Sequence, residues 1–202
     1  MTQDRKLQHL MDVALCIGAT GATMVSSKDI HIDEALSRRC LEPRCGNYGL
    51  SKRCPPHVAG PASFKKKLEK YSRALFFKID IPSEILFSSH NREVFQLLHE
   101  TAASLEKEAI RTGFNAEAYA GGSCKEIFCQ KHLECLALSE KGTCRNPESA
   151  RPSMSGFGIH VARLFELAGW TMSWTDLHES NETKMANVCG LVLICRASGN
   201  IL

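Results

Sequence analysis

Hydrophobic residues recur along the chain with two different periods, which predicts a fold built from both helices and strands. Apolar residues recur at helical spacing from Leu7 to Ile17 and, over a longer span, from Asn91 to Arg111. A glycine follows each of these segments, Gly18 and Gly113, as is typical of a helix end. Between them, Ala74 to Ile81 forms an apolar run of strand length. We therefore expect the two helices to pack against a sheet that contains this strand.

Shorter segments complete the predicted order of elements. Two further helices are predicted from Phe64 to Tyr71 and from Ser153 to Ala168, with Ser153 as the N-cap of the second. The other strands are predicted at Ala22 to Ser26, Asn115 to Ala120, Thr171 to Thr175 and Val188 to Cys195. No linker, repeat or low-complexity tract divides the chain. The sequence thus predicts an α/β (α+β) fold with a mixed sheet of about five strands, in a single domain over residues 1–202.

Two long segments, residues 38–61 and 123–152, interrupt this pattern and have no hydrophobic period. Loops of such length are uncommon in a compact domain unless they have a function. Seven of the ten cysteines lie in these segments: Cys40, Cys45 and Cys54 in the first, and Cys124, Cys129, Cys135 and Cys144 in the second. Metal ligation supplies free energy that burial cannot provide in such loops, about 10–16 kcal/mol for structural zinc in small peptides. We therefore expect these seven cysteines to be metal ligands.

Disulfide bonds and simple burial are the other uses of cysteine in this chain. The N-terminal residues MTQDRKLQH contain no apolar signal stretch. No segment approaches the roughly 18 uninterrupted apolar residues of a membrane span. We therefore expect a cytoplasmic protein without a membrane segment, in a compartment where disulfides are rare. Cys16, Cys189 and Cys195 lie in a predicted helix and strand, and we expect them to be buried as small apolar side chains.

Charge and motifs exclude several classes of function. The formal net charge of +3 is too small to predict a nucleic-acid partner, and basic residues are not interleaved with aromatic ones. The block Lys65-Lys66-Lys67 is typical of the exposed face of a helix. No His-Glu-x-x-His pattern occurs. These features neither predict nor exclude an enzyme.

The spacing of the cysteines favours a cluster over a structural zinc ion. The second segment reads Cys-x4-Cys-x5-Cys-x8-Cys, without the paired Cys-x2-Cys knuckles of structural zinc or the tight bacterial ferredoxin run. Four thiolates without a histidine in a knuckle position suit a [4Fe–4S] cluster slightly better. Basic residues surround the first group and would lower thiolate pKa values, namely Arg38, Arg39, Arg44, Lys52 and Arg53.

The first segment offers three cysteines and so lacks a fourth thiolate. A [4Fe–4S] cluster bound there would keep one iron open to water, a substrate or another ligand. His57 follows Cys54 in the string Cys54-Pro55-Pro56-His57 and is a candidate for that ligand. It would equally complete a Cys3His zinc site.

Around these cysteines the chain resembles the domain-of-unknown-function family 2284, a set of cysteine-rich, predicted metal-binding proteins of bacteria and archaea. The likeness runs in order over nearly the whole chain, through Cys40-x4-Cys45-Gly46-Asn47-Tyr48-Gly49, Arg53-Cys54-Pro55-Pro56, Gly121-Gly122-Ser123-Cys124, Cys144-Arg145-Asn146-Pro147, Arg151-Pro152-Ser153-Met154 and Gly158-Ile159. Members typically space the central cysteines of the second segment more tightly. The resemblance implies metal or iron–sulfur binding and no particular reaction. Arg145 and Arg151 lie in the matched motifs, and we expect them to contact the cofactor.

Three functions follow from these expectations. The first is an iron–sulfur protein with one four-cysteine [4Fe–4S] site and a second, three-cysteine site, which transfers electrons to a redox partner or activates a small-molecule substrate. The second is a non-catalytic binding module stabilised by zinc. The third is an enzyme that uses the thiol of Cys40, Cys45 or Cys54 directly, although no Cys-x-x-Cys pair supports it.

Overall fold

The computed structural model describes residues 2–173 and 184–197, and its helices and strands are interspersed along the chain. The helices are α1 (Gln3–Cys16), α2 (Glu34–Arg38), α3 (Gly60–Leu68), α4 (Ser83–Leu86), α5 (Asn91–Arg111), α6 (Cys124–Phe128) and α7 (Val161–Leu167). The strands are β1 (Gly21–Ser26), β2 (Arg73–Pro82), β3 (Phe114–Ala120) and β4 (Met185–Arg196). Short 3-10 turns occupy Ser27–Asp29, Leu136–Leu138 and Met154–Phe157. The described helices include none with the length and apolar character that a membrane span requires.

The four strands form one sheet in the order β1-β2-β4-β3, and all three pairings are antiparallel. Successive side chains of a strand point to opposite faces of the sheet. In β2, Leu75 and Phe77 therefore join one hydrophobic cluster, while Ala74 and Phe76 join the other. Both faces of the sheet are consequently covered, which explains why β2 has so few polar residues.

Helices cover the sheet on each side. Leu10 of α1 and Leu98 of α5 are fully buried against one face. On the other face, α3 and α7 contribute Phe64 and Phe165. Phe64 packs edge-on against Tyr119 of β3, with the ring centroids 5.1 Å apart. The architecture is thus a sheet between two helical layers.

The α+β class is confirmed, and several predicted elements have nearly the predicted bounds. Helix α5 begins and ends at the predicted residues, Asn91 and Arg111. The sheet differs from the expectation because its described strands number four and are all antiparallel. Residues 171–173 of the predicted fifth strand are not in a strand, and the rest of that segment lies outside the described residues. The backbone N–H of Ser173 donates instead to the side-chain oxygen of Asn187.

The helix predicted from Ser153 to Ala168 is wrong, since a 3-10 turn and α7 replace it. The break occurs at Gly158, whose φ of +68° is unfavourable for residues with a side chain. A Cβ there would lie 2.3 Å from the carbonyl oxygen of Asp33, and the N–H of Asp33 donates to the Gly158 carbonyl. Ser153 makes no capping bond, and His160 caps α7 instead.

The cysteines that we expected in the core have three different environments. Cys189 is buried, as predicted, and Cys195 is partly buried. Cys16 is exposed, so the prediction for it is wrong. Helix α1 buries the face that carries Leu7, Leu10 and Ala14, and a residue two positions after Ala14 points away from that face.

Both cysteine-rich segments converge at the end of β3. The second segment leaves β3 after Ala120 and returns to it, because the N–H of Ala120 donates to the Pro152 carbonyl at 3.1 Å. The first segment joins at the same place, where the N–H of Ser153 donates to the Arg53 carbonyl at 3.0 Å. The second segment is less irregular than predicted, since its first five residues after Ser123 form α6.

Candidate metal centre

The structure gathers six of the seven predicted ligand cysteines around two cavities. Cys40, Cys45 and Cys54 line the first cavity, which has a volume of about 610 Å³. Cys124, Cys135 and Cys144 line the second cavity, which has a volume of about 260 Å³. The division of the thiols between the cavities therefore follows the division of the cysteines between the two segments of the sequence.

The two cavities are linked by a reciprocal pair of side-chain contacts. The hydroxyl of Ser51, in the first segment, lies 3.1 Å from the Sγ of Cys124 in the second. The Sγ of Cys54, in the first segment, lies 3.5 Å from the hydroxyl of Ser123 in the second. All four side chains are buried, with at most 8% exposure. Each segment therefore supports a cysteine of the other.

The thiols of this centre favour their protonated form in the absence of a cation. The pKa of Cys54 is raised to about 11, mainly by burial and also by the neighbouring thiols of Cys124, Cys40 and Cys45, against a lowering by the Ser123 hydroxyl. Burial also raises the pKa of Cys40. Several thiolates so close together are stable only when a cation or cluster compensates their charge, so metal binding here releases protons.

Positive charge lies beside the second cavity. Lys52 and Arg53 line it, although the sequence suggested that they surround the first group of thiols. Burial raises the pKa of Cys124, while the Ser51 hydroxyl and the Arg53 guanidinium lower it, and Cys144 and Cys135 raise it. The charge of Arg53 therefore offsets part of the effect of burial on Cys124.

Soft thiolate donors select zinc, copper(I) or iron–sulfur clusters over hard cations. The donors around the two cavities fit this class of group. Within residues 2–173 and 184–197, however, no three histidine, cysteine, aspartate or glutamate side chains converge on the position of a single metal ion. The thiols are thus gathered in space but do not form a closed site for one ion.

Cys129 is the seventh predicted ligand and lines neither of these cavities. Its Sγ accepts a hydrogen bond from the Nδ2 of Asn146 at 3.3 Å. Asn146 lies two residues after Cys144, so this bond joins Cys129 to the segment that carries a thiol of the second cavity.

His57 does not face the thiols of the first cavity. It is exposed and is not among the residues that line that cavity. Its Nε2 lies 3.2 Å from the carbonyl oxygen of Gly49. His57 therefore contacts the backbone of the same loop that carries the thiols.

The two arginines that the sequence predicted as cofactor contacts lie outside the cavity walls. Arg145 donates to the Glu134 carbonyl at 3.1 Å. Arg151 is buried, and its Nη2 lies 2.6 Å from the Oε2 of Glu106. Arg151 also donates to the carbonyls of Pro147 and Ala150 and thereby holds the end of the second segment.

Sequence reasoning missed three residues that hold the centre together: Ser51, Ser123 and His99. Ser123 directly precedes Cys124, which offered a signal. Ser51 offered none, because its partner is 73 positions away. His99 is fully buried in α5, where its Nε2 lies 3.1 Å from the Gly121 carbonyl and its Nδ1 accepts from the N–H of Arg151 at 3.1 Å. The position of His99 in the hydrophobic period of α5 predicts burial, but it does not predict that the imidazole links Gly121 to Arg151.

Comparison with known proteins identifies the family of this chain. No curated protein and no solved structure matches it. One family model does match, over residues 23–194, and this range includes every cysteine that lines the two cavities. The chain therefore belongs to the family described as predicted metal-binding protein, domain of unknown function 2284.

Proposed function

We propose that the protein binds iron–sulfur clusters at two adjacent sites. Cys124, Cys129, Cys135 and Cys144 form a four-thiolate site, and Cys40, Cys45 and Cys54 form a three-thiolate site. A [4Fe–4S] cluster held by three thiolates offers one iron as a Lewis acid, while a fully ligated cluster exchanges electrons. The observation that carries this proposal is the pair of thiol-lined cavities joined through Ser51 and Ser123.

The arrangement of the thiols supports a cluster over a single zinc ion. A zinc–sulfur bond of about 2.3 Å places the thiolates of a tetrahedral site about 4 Å from one another. A cluster holds its thiolates further apart, because each binds a different iron at a different corner. Thiols that are gathered around a cavity without converging on one ion position suit the larger group.

The sizes of the cavities support different roles for the two sites. The first cavity is more than twice as large as the second, at about 610 Å³ against about 260 Å³. A volume of several hundred Å³ is typical of cavities that bind small molecules. The first site therefore suits substrate binding or activation, and the second suits electron transfer.

Metal and sulfide analysis of anaerobically purified protein tests this proposal. We expect brown protein with iron and acid-labile sulfide in near-equal amounts, and an electron paramagnetic resonance signal after reduction. Colourless protein that contains zinc alone would contradict the proposal and would favour a zinc-stabilised binding module. Protein whose activity depends on an alkylatable thiol in the absence of any metal would favour a thiol enzyme.

A further inference from the structure

The first cavity has polar side chains that the protein itself does not use. Ser89, Asn91, Ser153 and Ser155 all line it. In the part of the chain that the structure describes, none of these four side chains has a hydrogen-bond partner. Ser153 is largely removed from bulk solvent, with 7% exposure, whereas Ser89, Asn91 and Ser155 are exposed at the mouth of the cavity. Hydroxyl and amide groups of a cavity wall that have no partner within the protein are available to orient a polar ligand.

The charged side chains of the same wall already form hydrogen bonds within the protein. Arg92 and Glu126 are the two charged residues among those that line the first cavity. The Nε of Arg92 donates to the Ile127 carbonyl at 2.8 Å. Glu126 accepts from the Nδ2 of Asn47 at 2.6 Å. One arginine and one glutamate cancel in charge, so the part of the wall away from the thiols favours neither an anion nor a cation.

From this wall we propose that the first cavity binds a neutral small molecule that carries hydroxyl groups and a thiol. The hydroxyl groups pair with the four unpartnered side chains. The sulfur faces the wall of Cys40, Cys45 and Cys54, binds to the metal there as a thiolate, and gives up its proton to solvent. The sulfur contact rests on the proposed iron–sulfur function, whereas the hydroxyl contacts rest on the wall alone.

Four probe compounds separate the parts of this proposal. Calorimetry on the cluster-loaded protein compares 1-thioglycerol with glycerol, 1-propanethiol and inorganic phosphate. We expect 1-thioglycerol to bind at least tenfold more tightly than each of the others, with a change in the electron paramagnetic resonance signal. Equal binding of 1-propanethiol would overturn the role of the polar wall. Equal binding of glycerol would overturn the sulfur contact, and tighter binding of phosphate would overturn the neutral ligand.

Variants of the wall provide a second test. Asn91→Ala and Ser155→Ala should weaken the binding of 1-thioglycerol severalfold, while the binding of 1-propanethiol and the iron content stay unchanged. Asn115→Ala is the matched control, because Asn115 is exposed in β3 and lies outside the cavity. Unchanged binding of 1-thioglycerol in both cavity variants would overturn the proposal. Protein that takes up neither iron nor sulfide refutes the proposed function itself, whereas loaded protein that does not discriminate among the probes refutes only the ligand.

Discussion

The hydroxyl of Ser51 lies 3.1 Å from the Sγ of Cys124, although 73 residues separate them in the sequence. The same hydroxyl oxygen accepts a hydrogen bond from the backbone N–H of Arg53 at 3.1 Å. This acceptance leaves the hydroxyl proton free to point toward the sulfur. When Cys124 is a thiolate, Ser51 is therefore the donor. The first segment thus places a hydrogen-bond donor against a sulfur of the second.

We expect Ser51→Ala and Ser123→Ala to lower the reduction potential of the bound cluster. Hydrogen bonds to cluster sulfurs stabilise the more electron-rich, reduced form, so their removal favours the oxidised form. Redox titration followed by electron paramagnetic resonance measures the shift. Ser51→Thr keeps the donor and should preserve the potential.

Ser139→Ala is the control for this pair, because the Ser139 hydroxyl of the second segment donates to the Leu136 carbonyl and not to a thiol. The loss of the Ser51 hydroxyl also removes the partner of the Arg53 N–H, which costs about 1–3 kcal/mol of stability. The potential is therefore measured on protein with full iron content. A potential that stays the same in both alanine variants would show that the hydroxyls do not donate to ligand sulfurs.

The two thiol groups should lose their metal independently. Cys54→Ala removes a thiol from the first cavity, and Cys144→Ala removes one from the second. We expect each variant to keep the cluster of the other cavity, so that the iron content falls by about half. Cys16→Ala, at an exposed position of α1, should keep all of the iron. Complete loss of iron from either Cys54→Ala or Cys144→Ala would indicate one shared site.

The elements that sequence predicted well are those whose hydrophobic period is long. Helix α5 has apolar residues on one face over its whole length, and its predicted bounds match the structure. The helix predicted at Ser153 failed because the deciding contact is tertiary. Gly158 must fit against the backbone of Asp33, far away in the sequence, and no local period encodes that approach.

The sequence indicated which cysteines come together, but it did not indicate the residues that hold them in place. The sequence grouped the cysteines of the two irregular segments into two sets, and the structure divides six of those seven cysteines between two cavities in the same way. The contacts between the segments depend on how both fold back to the end of β3. Ser51 and Ser123 became recognisable only when that convergence placed each beside the other segment's thiol.

The buried imidazole of His99 should make stability depend on pH. Its pKa is lowered from 6.5 to about 4, mainly by burial and also by the charges of Arg151 and Arg53, against a raising by the Gly121 carbonyl. The unfolded chain therefore binds more protons than the folded one between those values. The neutral His99 side chain therefore contributes fully to the free energy of unfolding above about pH 6.5. This contribution is lost as the pH falls toward about 4, and the free energy of unfolding decreases by up to about 3 kcal/mol.

Urea denaturation across this pH range, compared between the wild type and His99→Gln, measures that contribution. Glutamine keeps one donor and one acceptor for the Gly121 carbonyl and the Arg151 N–H but does not titrate. We expect the difference in unfolding free energy between the two proteins to change between pH 6.5 and 4. His90→Gln, at an exposed position, should keep the wild-type pH profile. A constant difference between wild type and His99→Gln would refute the role of His99.

The loss of stability on breaking the buried ion pair between Arg151 and Glu106 should be far larger than the loss on breaking an exposed ion pair of the same length. Its atoms are 2.6 Å apart with side-chain exposures of 7% and 17%, whereas Arg163 and Glu166 are also 2.6 Å apart but about 60% exposed. Glu106→Gln removes the carboxylate that balances the buried charge of Arg151, which keeps only the neutral carbonyls of Pro147 and Ala150 as acceptors, and should cost about 3–5 kcal/mol. Glu166→Gln should cost less than about 1 kcal/mol. Chemical denaturation of the metal-free variants measures both, and equal losses would show that burial of Arg151 does not strengthen its dependence on Glu106.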